Sequence, residues 1–246
     1  EGVQASTCSG RKVSLPRTTI SFNLDPSRIM TISASRLGGF MGLLEALLYI
    51  IGFVFLFAFL GPSMDEGLSD LEKLQFLVEN KVLVQVWHVL IYVVFGIALV
   101  PLTIAIRDQF APQHLAGAKV APVFGFIWAG LVIASGMITN VGLNTVEGIM
   151  ASDAAAALST WKTLEAVQNG LGGGVEVVGG VWVLLISLAG LQQGVFSRWV
   201  HYLGIMVGVA GTLTVIPGLE DLGAVFGLSQ IPWFIWIGLE LLRKGK

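Results

Sequence analysis

Six stretches of this 246-residue chain, about residues 38 to 60, 82 to 106, 120 to 141, 172 to 191, 199 to 217 and 223 to 242, are apolar with at most one acid each. A helix rises about 1.5 Å per residue, so a run of roughly 18 apolar residues is long enough to cross bilayer hydrocarbon. Charged residues are 12% of the chain, against roughly a quarter in soluble domains, too few to clothe a water-facing surface. In lipid every backbone N–H and C=O must be satisfied within the chain, which favours helices. The fold class expected is all-α: a polytopic membrane bundle of six transmembrane helices, with the lipid bilayer as its constant partner.

Charge placement sets the expected orientation. Of the fourteen basic residues, eleven fall on the side that also holds both termini, among them Arg36, Arg107, Lys119, Arg198 and Arg243. Only Lys73, Lys81 and Lys162 fall on the other. By the positive-inside bias the termini are cytoplasmic and the two long loops face outward. Each loop carries a helix signal. Ser69 to Glu72 reads as a capping box, and a Ser/Asp start at 152 to 153 is followed by a stop at Asn169-Gly170. Both are read as outer interfacial helices, with Trp161 at headgroup depth and a lid as the alternative. A net charge of −2 without a basic face excludes nucleic acid as a partner, and the lone Cys8 excludes an internal disulfide. Residues 1–37 read as a polar, disordered tail before the domain at 38–246, with 1–29 preceding a natural start at Met30.

The halves echo each other. "FIWAGL" at 126–131 matches "FIWIGL" at 234–239 at all but one position, and Trp87 precedes Gly96 and Ala98 as Trp199 precedes Gly208 and Ala210. Three helices per half would make this an inverted 3+3 repeat, a plan common among transporters.

Polar side chains inside the spans are the candidate site. Lys81, Gln85, His88 and Tyr92 recur at helical spacing on the second span, Asn140, Asn144 and Glu147 on the third, and Asn169 with Glu176 on the fourth. The expected arrangement is one polar outer vestibule in which Glu147 and Glu176 are acids, His88 carries a proton or binds a guest, and Gln85, Tyr92, Asn140 and Asn144 orient it. The competing reading is that His88, Gln85 and the asparagines hydrogen-bond across helices while Glu147 and Glu176 reach headgroup water. Glu45 is a separate, inner-leaflet acid on a face with Gly42, Tyr49 and Gly52. The pairs Gly38/Gly42, Gly170/Gly174, Gly204/Gly208 and Gly223/Gly227 read as close-approach packing motifs. Pro101, Pro217 and Pro232 should bend or break spans two, five and six.

No phosphate loop, nucleophile elbow or paired-histidine zinc motif occurs, so no catalytic residue, metal or cofactor is expected. The opening of span four from Glu176 to Trp182, "RWVHYLGIMVG" at 198–208 and "PWFIWIGLELLR" at 232–243 resemble a family of small bacterial six-helix membrane proteins, domain of unknown function forty-three eighty-six. The similarity covers about residues 30 to 243. It implies a six-helix fold in a bacterial inner membrane and no activity. Three functions follow in order. The first is a non-enzymatic structural or accessory protein, meeting itself or a partner complex through its glycine faces. The second is a small-molecule or proton-coupled transporter using Glu45, His88 and Glu176, and the third an enzyme acting on lipid head groups.

Overall fold

The computed structural model describes residue 2 and residues 33–61, 65–111, 116–173 and 176–245. Residues 3–32 of the expected tail, Met30 among them, lie outside the described residues, as does Gly174. The tail's last residues, 34–37, are helical behind a Ser33 cap, so the first helix starts earlier than expected. The described residues are helical and contain no strand. Helix α1 spans Ala34–Phe59, α2 Asp70–Glu79, α3 Lys81–His88, α4 Phe95–Arg107, α5 Ala116–Met150, α6 Ala154–Gln168, α7 Val177–Gln193, α8 Arg198–Leu213 and α9 Leu222–Lys244. A π turn, Val89–Val94, joins α3 to α4 as one rod, and another, Asn169–Gly173, follows α6. Ends are capped as the sequence signals. Ser33 Oγ accepts from Arg36 N at 3.3 Å, Ser69 and Glu72 close a reciprocal capping box, and Asp153 Oδ1 accepts from Ala156 N at 2.9 Å.

Six rods form a closed ring in chain order: α1, α3 with α4, α5, α7, α8 and α9, which returns to α1. Neighbours run antiparallel. Along the α1–α9 seam Gly42 lies against Gly238, and Gly227 against Tyr49. At the α7–α8 seam a Cβ on Gly180 would meet the backbone of Gly208 and Gly211 at 2.8 and 2.7 Å. Two of the expected small-residue motifs, Gly38/Gly42 and Gly204/Gly208, are thus consumed inside the chain, whereas Gly170 faces open space.

The outside of the ring is apolar: Val54, Phe57, Ile97, Val141 and Leu228 are each more than half exposed. Large side chains turned outward on several rods suit hydrocarbon and not water. Five helical segments are long and apolar enough to cross a membrane. The fifth expected span is the exception. Its helix, α8, stops at Leu213 after 16 residues, about 24 Å. Pro217 lies beyond its end in the turn toward α9, so it kinks nothing, while Pro101 and Pro232 sit inside α4 and α9.

The third expected span is longer than its apolar core. Helix α5 has 35 residues, about 52 Å, and overhangs the ring at the end opposite the termini. Helices α2 and α6 pack on that overhang, joined by buried Leu74, Val146 and Ala157 and by an Asp70–Lys162 ion pair at 2.5 Å. They form a cap together, with Trp161 half-buried inside it.

The two sequence echoes are not fully matched in burial. Gly96, Ala98, Gly208 and Ala210 are all buried, but Trp87 is half-buried where its counterpart Trp199 is 69% exposed, so the weaker echo keeps only part of its pattern. In the hexamer Phe126 is 39% exposed where its counterpart Phe234 is fully buried.

Candidate functional site

The polar residues of the second, third and fourth spans do not converge on one vestibule. Lys81 pairs with Glu147. Gln85 Nε2 donates to Asn140 O at 2.9 Å and to Asn144 Oδ1 at 3.2 Å. The side chains of Lys81, Glu147, Gln85 and Asn144 and the main-chain oxygen of Asn140 stitch α3 to the outer half of α5. Tyr92, within the π turn, packs against Gly136 further along α5 and stacks on His88.

Tyr92 and Glu176 line a cavity of 440 Å³ inside the ring. Its walls come from α1 (Tyr49, Gly52, Phe53), the rod of α3 and α4 (Trp87, Ile91, Tyr92, Phe95), α5 (Trp128, Val132) and the start of α9 (Gly223, Ala224, Gly227). From Leu56 to Leu48 of α1 it runs about 12 Å along the bundle. The mouth lies at the cap end, where Glu220 and Ala224 are exposed. Backbone N–H groups of Glu220 and Gly218 hold the Glu220 carboxyl below the usual carboxylate range, so it is charged near neutrality.

Glu176 is positioned by the break between α6 and α7. Gly172 adopts φ 123°, a conformation that a side chain would strain, and the chain then re-enters the ring at the N-cap of α7. The backbone N of Glu176 donates to Thr214 Oγ1 at 2.8 Å, which ties this entry to the end of α8. Its carboxylate makes no ion pair or hydrogen bond among the described residues. Glycines before Glu176 therefore serve the turn that delivers it to the cavity wall.

His88 faces a smaller neighbouring cavity of 140 Å³ beneath the cap, with Trp161, Leu164, Glu165 and Gln168 of α6. Its Nδ1 donates to Val84 O at 2.8 Å, which leaves Nε2 of the neutral ring as an acceptor. The ring stacks on Tyr92 at 5.4 Å, and Tyr92 OH accepts from Gln168 Nε2 at 3.1 Å. Trp87 and Leu56 line both cavities and divide them, and Trp87 Nε1 is anchored on Gly52 O at 3.2 Å.

Beneath the larger cavity the ring is filled by aromatic side chains. Phe95 meets Trp128 at 5.4 Å, Trp128 meets Trp182 at 5.6 Å, Trp182 meets Trp233 at 5.6 Å and Trp233 meets Phe234 at 5.3 Å. All five are buried, so the cavity is closed toward the termini. Glu45 lies in this lower half, fully buried, lining no cavity, with both oxygens unpaired among the described residues. Gln230, Thr103 Oγ1, Ser187 Oγ and the indole nitrogens of Trp128, Trp182 and Trp233 are unpaired there too.

Sequence reasoning placed none of Tyr49, Trp87, Trp128, Gln168 and Glu220 at a cavity. Aromatic residues in an apolar span carry no signal that separates a lining ring from a packed one. Among the described residues, no three His, Cys, Asp or Glu side chains are grouped as metal ligands. Compared with protein families, curated proteins and solved structures, the chain matches none.

Proposed function

We propose that this protein binds a small amphiphilic solute in the aromatic cavity and carries it across the membrane, with the aromatic plug as the barrier that must open on the other side. The observation that carries this reading is the 440 Å³ cavity, within the range of small-molecule sites, walled by helices of both halves of the chain. The orphaned polar atoms of the plug support it. An unpaired buried polar group costs about 1–3 kcal/mol, and such groups are retained where a second arrangement gives them partners. The accessory reading loses its main support, since most of the glycine faces meant for a partner are occupied within the chain. In this proposal all six rods cross the membrane, α8 with help from its flanking residues. The termini are cytoplasmic by charge bias, and the membrane is the bacterial inner membrane implied by the family resemblance. An ancestral 3+3 repeat belongs to the same proposal.

Exchange from proteoliposomes tests it, with benzyltrimethylammonium, phenylacetate and benzyl glucoside as cationic, anionic and neutral solutes. At least one should exchange faster than from protein-free vesicles, and Ala224→Trp, which fills the exposed mouth, should abolish the difference. Exchange at the protein-free rate for all three, or unaltered exchange in Ala224→Trp, overturns the proposal.

A further inference from the structure

We infer that the solute class is an organic cation, a quaternary ammonium or similar onium group held among aromatic rings beneath two carboxyl groups; this deepens the carrier reading and rests on it. The walls are the first argument. Tyr49 and Phe95 meet at 5.4 Å with their planes 86° apart, and Phe95 and Trp128 at 5.4 Å and 72°. These rings are packed edge to face, and together with Tyr92, Trp87 and Phe53 they make the lining of the space largely aromatic. Ring faces carry negative electrostatic potential and attract a cation most strongly once water is excluded.

Charge is the second argument. The ionisable acids on the lining are Glu176 and Glu220, and neither lysine nor arginine lines it among the described residues. An anion would meet the charged Glu220 carboxylate at the mouth, the Glu176 carboxyl on the wall and the negative faces of several rings. A neutral apolar guest would leave the Glu176 carboxyl without a partner. A bare metal ion would find too few oxygen ligands in so wide an aromatic space. A cation whose charge is spread over methyl or methylene groups satisfies both features at once, because it needs no directed hydrogen bonds and gains from every face.

The test needs no variant at first. Benzyltrimethylammonium and neopentylbenzene have the same shape and differ only in replacing a charged nitrogen by carbon. Equilibrium dialysis against the full chain in nanodiscs, corrected for empty nanodiscs, should show the cation bound about tenfold or more tightly than its neutral isostere. Glu176→Gln should weaken the cation about tenfold and Glu176→Asp restore most of it, with the neutral probe unmoved. Tyr49→Leu should weaken it while Tyr49→Phe, which keeps the ring face, should not. Equal or tighter binding of neopentylbenzene, or preferential binding of phenylacetate, overturns the cation assignment. If the bound neutral or anionic probe is then displaced by Ala224→Trp, the carrier reading survives without it. Absence of binding and of exchange for every probe removes both.

Discussion

The α3–α5 seam and the aromatic cavity share the same two rods and treat polar groups differently. In the seam Lys81 pairs with Glu147, and Gln85 donates to the main-chain oxygen of Asn140 and to Asn144, with only Asn140 Oδ1 left buried without a partner among the described residues. In the cavity Tyr92 and Trp87 are bonded but the Glu176 carboxyl is not, and in the plug beneath it Glu45, Gln230 and three indole nitrogens have no partner among the described residues. Hydrogen-bonded polar groups in lipid hold helices together, whereas unpaired ones cost stability and persist where something other than the fold uses them. The comparison teaches that polarity inside a span does not by itself mark a site; the absence of a partner does.

The sharpest way to break that contrast is to attack the centre through its backbone contacts. Gly180→Leu should be the most damaging change, because the new side chain meets the backbone of Gly208 and Gly211 and forces α7 from α8. A loss of about 3 kcal/mol is expected, read as a fall in melting temperature of the purified protein in a fixed detergent. A change of opposite sign comes next. Glu45→Met and Gln230→Leu should each raise stability by about 1–3 kcal/mol, since each removes fully buried, unpaired polar atoms. Melting curves that fall instead would mean that those groups are paired in the membrane and belong with the seam.

Smaller effects belong to the seam itself. Gln85→Leu should lower stability by about 1 kcal/mol through the loss of its two hydrogen bonds, and should leave solute exchange unchanged. A loss of exchange without loss of stability would join the seam to the site. The smallest effect concerns the cap. The hydrogen bond and charge of Lys162 beside Asp70 hold that carboxyl below its ordinary range. A carboxyl depressed in the folded state contributes stability above its unfolded pKa and loses it as pH falls through the folded one. Protection factors for hydrogen exchange in α2, corrected for the intrinsic pH dependence of the rate, should therefore be constant from pH 7 to about 5 and fall only below about 4. A fall near pH 6 would implicate another group.

Much of this was legible in the chain. The helix starts at Ser69 and Asp153, the apolar rods and the cap helices all follow from local chemistry, because capping, hydropathy and length act within a few residues. Gln85, Asn140 and Asn144 were equally visible, and their alternative reading as interhelical glue matches the bonds of Gln85 across the seam. The division of that list into seam and cavity was not visible. It depends on which other helices close around each residue: Tyr92 also meets Gln168 and the space inside the ring, contacts that no local pattern announces.

The sequence by itself determined the solvent: so few charges over such apolar lengths leave hydrocarbon as the medium for the rods, whatever their arrangement. Only the tertiary structure decided which rods meet. Glycine contacts close the ring, bring Tyr49, Phe95 and Trp128 around one space and leave Glu176 at its wall. Burial and pairing are properties of neighbours distant in sequence, so a run of Phe, Trp and Gly reads the same whether it packs a core or lines a cavity.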